Sequence, residues 1–162
     1  MNGRHDELPL DPDLPEEPAP GRGSGWPPLH LTPAALGLVA IGGMAGTAAR
    51  YAVTLLVPSR GGWPLATLSV NLVGAFVLGL LVESLARRGP DEGGLRRARL
   101  IAGSGFCGAF TTYSALAVDV DLLLRTEQAA TAVAYGLTTV IIGFVVCALG
   151  IWVGARRPRA TA

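Results

Sequence analysis

The sequence predicts an all-α membrane protein built on four transmembrane helices, and three observations lead there. Half of the 162 residues are apolar and only 15% are charged, against about a quarter charged in a soluble domain. Four apolar runs, at 34–57, 65–86, 100–124 and 129–154, each exceed the roughly 20 residues that cross a bilayer as helix. The linkers between them hold helix breakers and charges: Pro58, Arg60, Gly61 and Gly62 in the first, five arginines within 87–99 in the second, and residues 125–128 in the third.

Residues 1–33 precede these runs and contain eight of the twelve prolines and six of the twelve acidic residues. With few apolar side chains to offset the entropy of ordering, this stretch is expected to be a disordered tail. It lacks the basic-then-apolar order of a signal peptide and is expected to stay on the mature protein. A four-helix membrane domain then covers 34–155, and 156–162 forms a short basic tail. So little chain lies outside the runs that a soluble catalytic domain has no room, and the protein is not expected to be an enzyme. A formal charge of +1 excludes the basic balance of a nucleic-acid binder. All thirteen basic residues are Arg, which reads as a base-composition bias of the source genome. Cys107 and Cys147 both fall in apolar runs, where each reads as a small buried hydrophobe.

In the first run Arg50 lies about seven residues from the end, roughly 10 Å at the helical rise. It either snorkels to the interface or holds a positive potential at the mouth of an anion path. Gly42 with Gly46, and Gly150 with Gly154 in the fourth run, are small-residue pairs that let helices approach closely. The second run carries Asn71 near its centre, Thr67 one turn earlier and Ser69 between. An amide in hydrocarbon must find a partner, so Asn71 either joins helices or lines an aqueous path.

Residues 103–114 interrupt the third run with three glycines in six residues and then Thr111 and Thr112. Each Gly weakens a helix by close to 1 kcal/mol. Two readings stay open: a discontinuous helix around a site, or an intact helix using Gly for close packing. The letters G-x-G-x-x-G at Gly103, Gly105 and Gly108 lack the strand and βαβ unit of a dinucleotide site, so nucleotide binding is excluded. Asp119 and Asp121 are expected at the water interface. In the fourth run Tyr135 and Thr139 share a face, and no charged residue occurs there.

No Asp, Glu, His or Lys lies near the middle of any run, which argues against a proton-coupled carrier and for passive permeation. The remaining neutral donors, Asn, Thr, Ser and Tyr, suit an anion. Nine arginines, at 22, 87, 88, 96, 97, 99, 156, 157 and 159, collect on one side, against at most three, at 50, 60 and 125, on the other. That bias predicts both termini in the cytoplasm. Four spans bury little surface alone, so oligomerisation is expected.

Three stretches, GGMAGTAARY at 42–51, TLSVNLVG at 67–74 and GFCGAFTTYS at 105–114, resemble the CrcB, or Fluc, family of fluoride channels. The likeness covers about residues 36–154 and leaves out the tail. It implies passive fluoride export across the bacterial plasma membrane by an antiparallel dimer, with the third helix broken at mid-membrane. It also implies two fluoride pathways and a structural sodium ion at the dimer centre. Carried over by motif, backbone carbonyls of Gly108 and Thr111 would hold the sodium. The pathway would use Asn71, Thr67, Tyr113, Ser114, Tyr135 and Thr139, with Arg50 near its mouth. Ring edges carry partial positive charge and assist an anion.

Two departures qualify the resemblance. The family places Phe at two positions after the paired threonines, and here they are Tyr113 and Leu116; Leu offers no ring edge, so one of two pathways is altered or silent. The Arg bias also favours a single orientation; the partner is a second copy of the chain or, as the two departures together suggest, an inverted paralogue. The alternatives are a small drug-resistance-type antiporter, which would need a glutamate embedded in the first span, and a non-conducting partner subunit.

Overall fold

The structure, a computed structural model, describes residues 32–156. The expected tail at 1–33 lies outside the described residues except for Thr32 and Pro33, as does the basic tail at 156–162 except for Arg156. Helix α1, Pro33–Leu56, starts where its sequence provides a start: the Thr32 hydroxyl accepts from the Ala35 N–H, and Pro33 occupies the first turn, where no N–H is needed. A tight turn follows, in which Arg60 and Trp63 exchange backbone hydrogen bonds of 3.0 and 3.3 Å. Gly61 and Gly62 between them take φ of 58° and 80°, the left-handed pair that a two-residue hairpin turn requires. Helix α2 is Leu65–Ala86 and helix α6 is Ala129–Ala155.

The third crossing is composite. Helix α3, Gly93–Ala98, runs into a π-helical stretch, Arg99–Cys107, then a single turn α4, Gly108–Phe110, and after two extended residues the half-helix α5, Tyr113–Arg125. With these pieces taken together, four segments are long and apolar enough to cross a membrane, so this is a multi-pass membrane protein. Successive crossings alternate in direction. The starts of α1 and α3 therefore share one end of the bundle with the ends of α2 and α6. At that end the Arg156 guanidinium lies 3.5 Å over the Trp152 ring, an arrangement suited to the headgroup level.

Helices in lipid gain nothing from burying one apolar face against another, so they associate where small residues bring backbones together. The structure places glycines there. A Cβ on Gly42 would strike the Ile101 carbonyl oxygen, and one on Gly46 that of Phe106; both belong to the π-helical stretch. From the other side, a Cβ on Gly105 would sit 2.7 Å from the Val39 carbonyl oxygen. Between α2 and α6 the same holds for Gly79 against Cys147 and Gly150 against Phe76, while Gly154 faces Leu80 and Glu83. The two readings of the glycine-rich stretch divide by position. Gly105 is a packing glycine within a helix widened to i→i+5 bonding, where the Gly108 N–H reaches the Gly103 carbonyl. The discontinuity itself falls later, at Thr111 and Thr112.

Among the described residues the apolar core is small. Leu123, Ala132 and Tyr135 form its centre, with Trp63, Leu68, Leu116 and Val120 packed on them. Trp63 meets the Tyr135 ring edge-on at 6.0 Å, a favourable quadrupole geometry. Leu116, the expected gap in an aromatic pair, is thus a core residue of its own subunit. Apolar side chains elsewhere face outward, among them Met44, Leu56 and Phe144, as lipid or a second subunit requires.

Candidate functional site: a polar cleft at a broken helix

The break is built by two residues and held by a third. Thr111 (φ −75°, ψ 157°) and Thr112 (φ −151°, ψ 121°) are extended, so the helical ladder cannot run through them. Asn71 faces them from α2. Its Nδ2 donates to the Thr112 carbonyl at 3.0 Å, and its Oδ1 accepts from the Thr112 N–H at 2.8 Å. One side-chain amide thus satisfies both backbone groups of the residue that the break exposes, which lipid could not do. The Asn71 amide has two N–H groups, and one remains for another acceptor. Asn71 is the seventh residue of α2, about 9 Å from its start, rather than near its centre.

The threonine side chains finish the junction. Thr112 Oγ1 accepts from the Ala115 N–H at 3.1 Å, capping α5, and lies 3.1 Å from Ser114 Oγ. Thr111 Oγ1 donates to the Cys107 carbonyl at 2.8 Å, which also receives the Thr111 N–H. A consequence falls on two carbonyls. In a continuous helix the Thr112 N–H would close on Gly108, and the Ala115 N–H on Thr111. Both donors are diverted, to Asn71 and to the Thr112 hydroxyl, so the carbonyls of Gly108 and Thr111 lose their helical partners. These two oxygens fit a hard cation, since carbonyls freed from a ladder keep their full dipole and offer no proton.

Above the junction opens a cleft of about 370 Å³, lined by Thr47, Arg50, Tyr51 and Thr54 of α1, Thr67 and Val70 of α2, and Thr112, Ala115 and Asp119 at the broken helix. Of the residues read from sequence, it gathers Arg50 and Thr67, with Asn71 bonded to the Thr112 that lines it. Among the described residues no carboxylate lies within ion-pairing distance of Arg50. Tyr135 is fully buried, donates its phenol to Asp119 Oδ2 at 3.1 Å, and is faced by the Thr67 hydroxyl. Thr139 is buried too, and its hydroxyl donates to the Tyr135 carbonyl at 2.8 Å. Its proton is committed to its own helix.

Tyr113 and Ser114 are not brought into this cleft. Both are exposed at the start of α5, Tyr113 by 82%, on surface that only lipid or another chain can cover. Asp119, expected at the water interface, forms part of the cleft wall and is half-buried. It stands in the second turn of a half-helix that begins at the break, and it faces Tyr135. Sequence reasoning also passed over Thr47, Tyr51, Thr54 and Thr112. The signal for the first three was legible: Thr47, Arg50, Tyr51 and Thr54 recur at i, i+3, i+4 and i+7, a polar stripe on an apolar helix. Thr112, Ala115 and Asp119 repeat the pattern at i, i+3 and i+7.

Comparison with known proteins agrees with this architecture. Residues 37–151 match the family model described as "CrcB-like protein, Camphor Resistance (CrcB)". A protein of Leifsonia xyli subsp. xyli named "Fluoride-specific ion channel FluC 2" is 45% identical over 128 residues, covering 79% of this chain and 88% of that one. "Fluoride-specific ion channel FluC 1" of Cutibacterium acnes is 46% identical over 126 residues, covering 77% and 85%. "Fluoride-specific ion channel FluC" of Paracoccus denitrificans is 41% identical over 117 residues, covering 72% and 90%. With more than two thirds of its length matched to the family model, and its broken third helix within that match, the chain belongs to the CrcB family.

Proposed function

We propose that this chain is a subunit of a passive, fluoride-specific ion channel, not an enzyme, acting as an antiparallel dimer in the bacterial plasma membrane with both termini cytoplasmic. The observation that supports this most is the Asn71–Thr112 clamp on the wall of a polar cleft, inside an otherwise apolar bundle. It combines with the names of the relatives, fluoride-specific ion channels. Fluoride is small and strongly hydrated, so a path must replace its water with donors. The free N–H of Asn71, the Thr67 hydroxyl and, from the outer face, Tyr113 and Ser114 are placed to serve. Tyr135 and Thr139 act behind them: one holds Asp119 with its phenol, the other is tied to the helix backbone. Arg50, which forms no ion pair, places a positive charge on the cleft wall that attracts an anion, opposed by the Asp119 carboxylate on the same cleft.

Export needs no coupled ion. An inside-negative potential drives an anion outward by about 2.3 kcal/mol per 100 mV, roughly a fiftyfold gradient. Sodium, bound by carbonyls of Gly108 and Thr111, supplies a fixed positive charge and a tie between the broken helices. Two carbonyls from one chain are few for a hard cation, and an inverted partner would bring them to four. The antiporter reading lacks its glutamate: the described part of α1 holds no acidic residue.

The test is flux from liposomes holding the purified protein, alone and together with an inverted paralogue. Fluoride should leave rapidly when a potassium ionophore clamps the voltage, while chloride stays. Equal flux of the two ions, or none of either, would reject the proposal.

A further inference from the structure

A second cavity, of about 230 Å³, lies at the opposite end of α1, lined by Thr32, Ala34, Ala35, Leu38, Gly93, Arg96, Arg97 and Leu100. It sits where α1 and the third crossing both begin, at one membrane surface. Its chemistry differs from that of the cleft. Five arginines crowd this side between α2 and the π-helical stretch, and two are neutralised: Arg87 pairs with Glu83 at 2.7 Å and Arg99 with Asp91 at 3.2 Å. Among the described residues Arg96 and Arg97 have no carboxylate partner, and no acidic residue lines the cavity. Arg96 Nε is buried without any hydrogen-bond partner, which is costly for a charged donor. The remaining wall, Ala35, Leu38 and Leu100, is apolar.

The geometry points to a binding site for an anionic phospholipid, with its phosphodiester on Arg96 and Arg97 and the first carbons of its chains against Leu38 and Leu100. Guanidinium groups match phosphate oxygens in a planar, two-point manner. The positive end of the α1 dipole, beside Thr32, adds to the attraction. Basic pockets between helices at a membrane surface suit such headgroups. A lipid held there bridges α1 to the broken third crossing, the pair already joined at Gly42, Gly46 and Gly105.

Thermal unfolding of the full-length protein in neutral detergent tests this without reference to ion flux. Phosphatidylglycerol should raise the midpoint by roughly 5 °C at a hundredfold excess over its dissociation constant. Phosphatidylcholine and soluble glycerol phosphate at equal concentration should not. Arg96→Gln combined with Arg97→Gln should abolish the phosphatidylglycerol shift, while Arg88→Gln, on the same loop but outside the cavity, should keep it. If the double variant does not fold, Arg97→Gln alone, at an exposed position, should lose a large part of the shift. A full shift in the arginine variants, an equal shift with phosphatidylcholine, or one reproduced by glycerol phosphate would overturn the assignment. So would a response that appears only after residues 1–31 are removed, because the acidic tail would then be the occupant.

Discussion

Replacing Asn71 by Ala removes both hydrogen bonds that hold the break, at 3.0 and 2.8 Å. Two scales bear on the cost. In a soluble core each unsatisfied buried group costs about 1–3 kcal/mol, giving about 2–6 for the pair. Between membrane helices, hydrogen bonds average about 0.6 kcal/mol and reach about 1.7, because the unfolded chain in lipid also finds partners. The second scale applies here, since Asn71 is half-buried and Thr112 opens on the cleft. The expected loss is therefore about 1–3 kcal/mol, too little to prevent folding or assembly. Function should suffer more. Without the clamp the Thr112 carbonyl and N–H swing free, and the donor offered by Asn71 is gone. A barrier raised by about 1.4 kcal/mol already slows flux tenfold, so fluoride efflux should fall at least that far.

Stability is read by denaturant unfolding through Trp63, which packs on Tyr135, and flux by a fluoride electrode on liposomes. Asn71→Asp sharpens the test. It keeps an acceptor for the Thr112 N–H but loses the donor and adds a negative charge, so stability should fall less than with Ala while flux falls as far. Wild-type flux in Asn71→Ala would remove the clamp from the conduction route. Lost flux with unchanged stability would show that Asn71 serves the ion alone and that its bonds to Thr112 are incidental.

Other perturbations read separate parts of the structure. Thr112→Val removes the α5 cap and should cost about 1 kcal/mol, with flux reduced, whereas Thr112→Ser should restore both in the same two assays. Gly46→Val drives a side chain into the Phe106 carbonyl and should destabilise the fold by more than 2 kcal/mol, about the scale of a disrupted core; normal unfolding would disprove the close packing of α1. Gly108→Val is the opposite case. A Cβ there meets only the Gly103 carbonyl oxygen at 4.0 Å, so the subunit should fold normally while dimerisation and sodium-dependent flux are lost; a conducting dimer in sodium-free buffer would dismiss the ion. Cysteines introduced at Ser59 and Ala160 should each label from one side of the membrane only, opposite to one another, and equal labelling from both sides would establish dual topology.

The four crossings were legible because lipid imposes a long apolar run that little else produces. The break was legible within the stretch 103–114, though the residues alone did not say which of its positions leave the helix. Glycines advertise helix weakness, yet Gly105 and its neighbours stay helical because α1 packs on them through Gly42 and Gly46. The discontinuity sits at two threonines because a side chain on another helix, 41 residues away, takes over both backbone hydrogen bonds of Thr112. No local propensity contains that partner. The pairing of Asp119 with Tyr135 was hidden for a related reason: it shows only when Asp119 is counted from the break. The polar stripe of α1 could have been found by applying helical periodicity to Thr47, Arg50, Tyr51 and Thr54 rather than to Arg50 alone.

The distribution of donors argues that one chain is an incomplete path. Inside the subunit most candidate protons are spoken for: Tyr135 donates to Asp119, Thr139 to the Tyr135 carbonyl, Thr54 to the Arg50 carbonyl and Thr111 to the Cys107 carbonyl. What remains is one N–H of Asn71, Arg50, the Thr47, Tyr51 and Thr67 hydroxyls that line the cleft, and the outward pair Tyr113 and Ser114. An anion leaving water for the membrane interior needs several donors at once, and the two sets lie on different faces of the junction. An exposed phenol at Tyr113 and a freed carbonyl at the exposed Gly108 are costly in lipid and useful against a second chain. An inverted neighbour would bring its own Tyr113 and Ser114 to the far side of this cleft and its own carbonyls beside Gly108 and Thr111. Leu116, half-buried and packed on the Tyr135 cluster, would stay out of either route. The aromatic contribution of this chain then rests on Tyr113 alone, so Tyr113 is the residue through which a partner chain would complete the path.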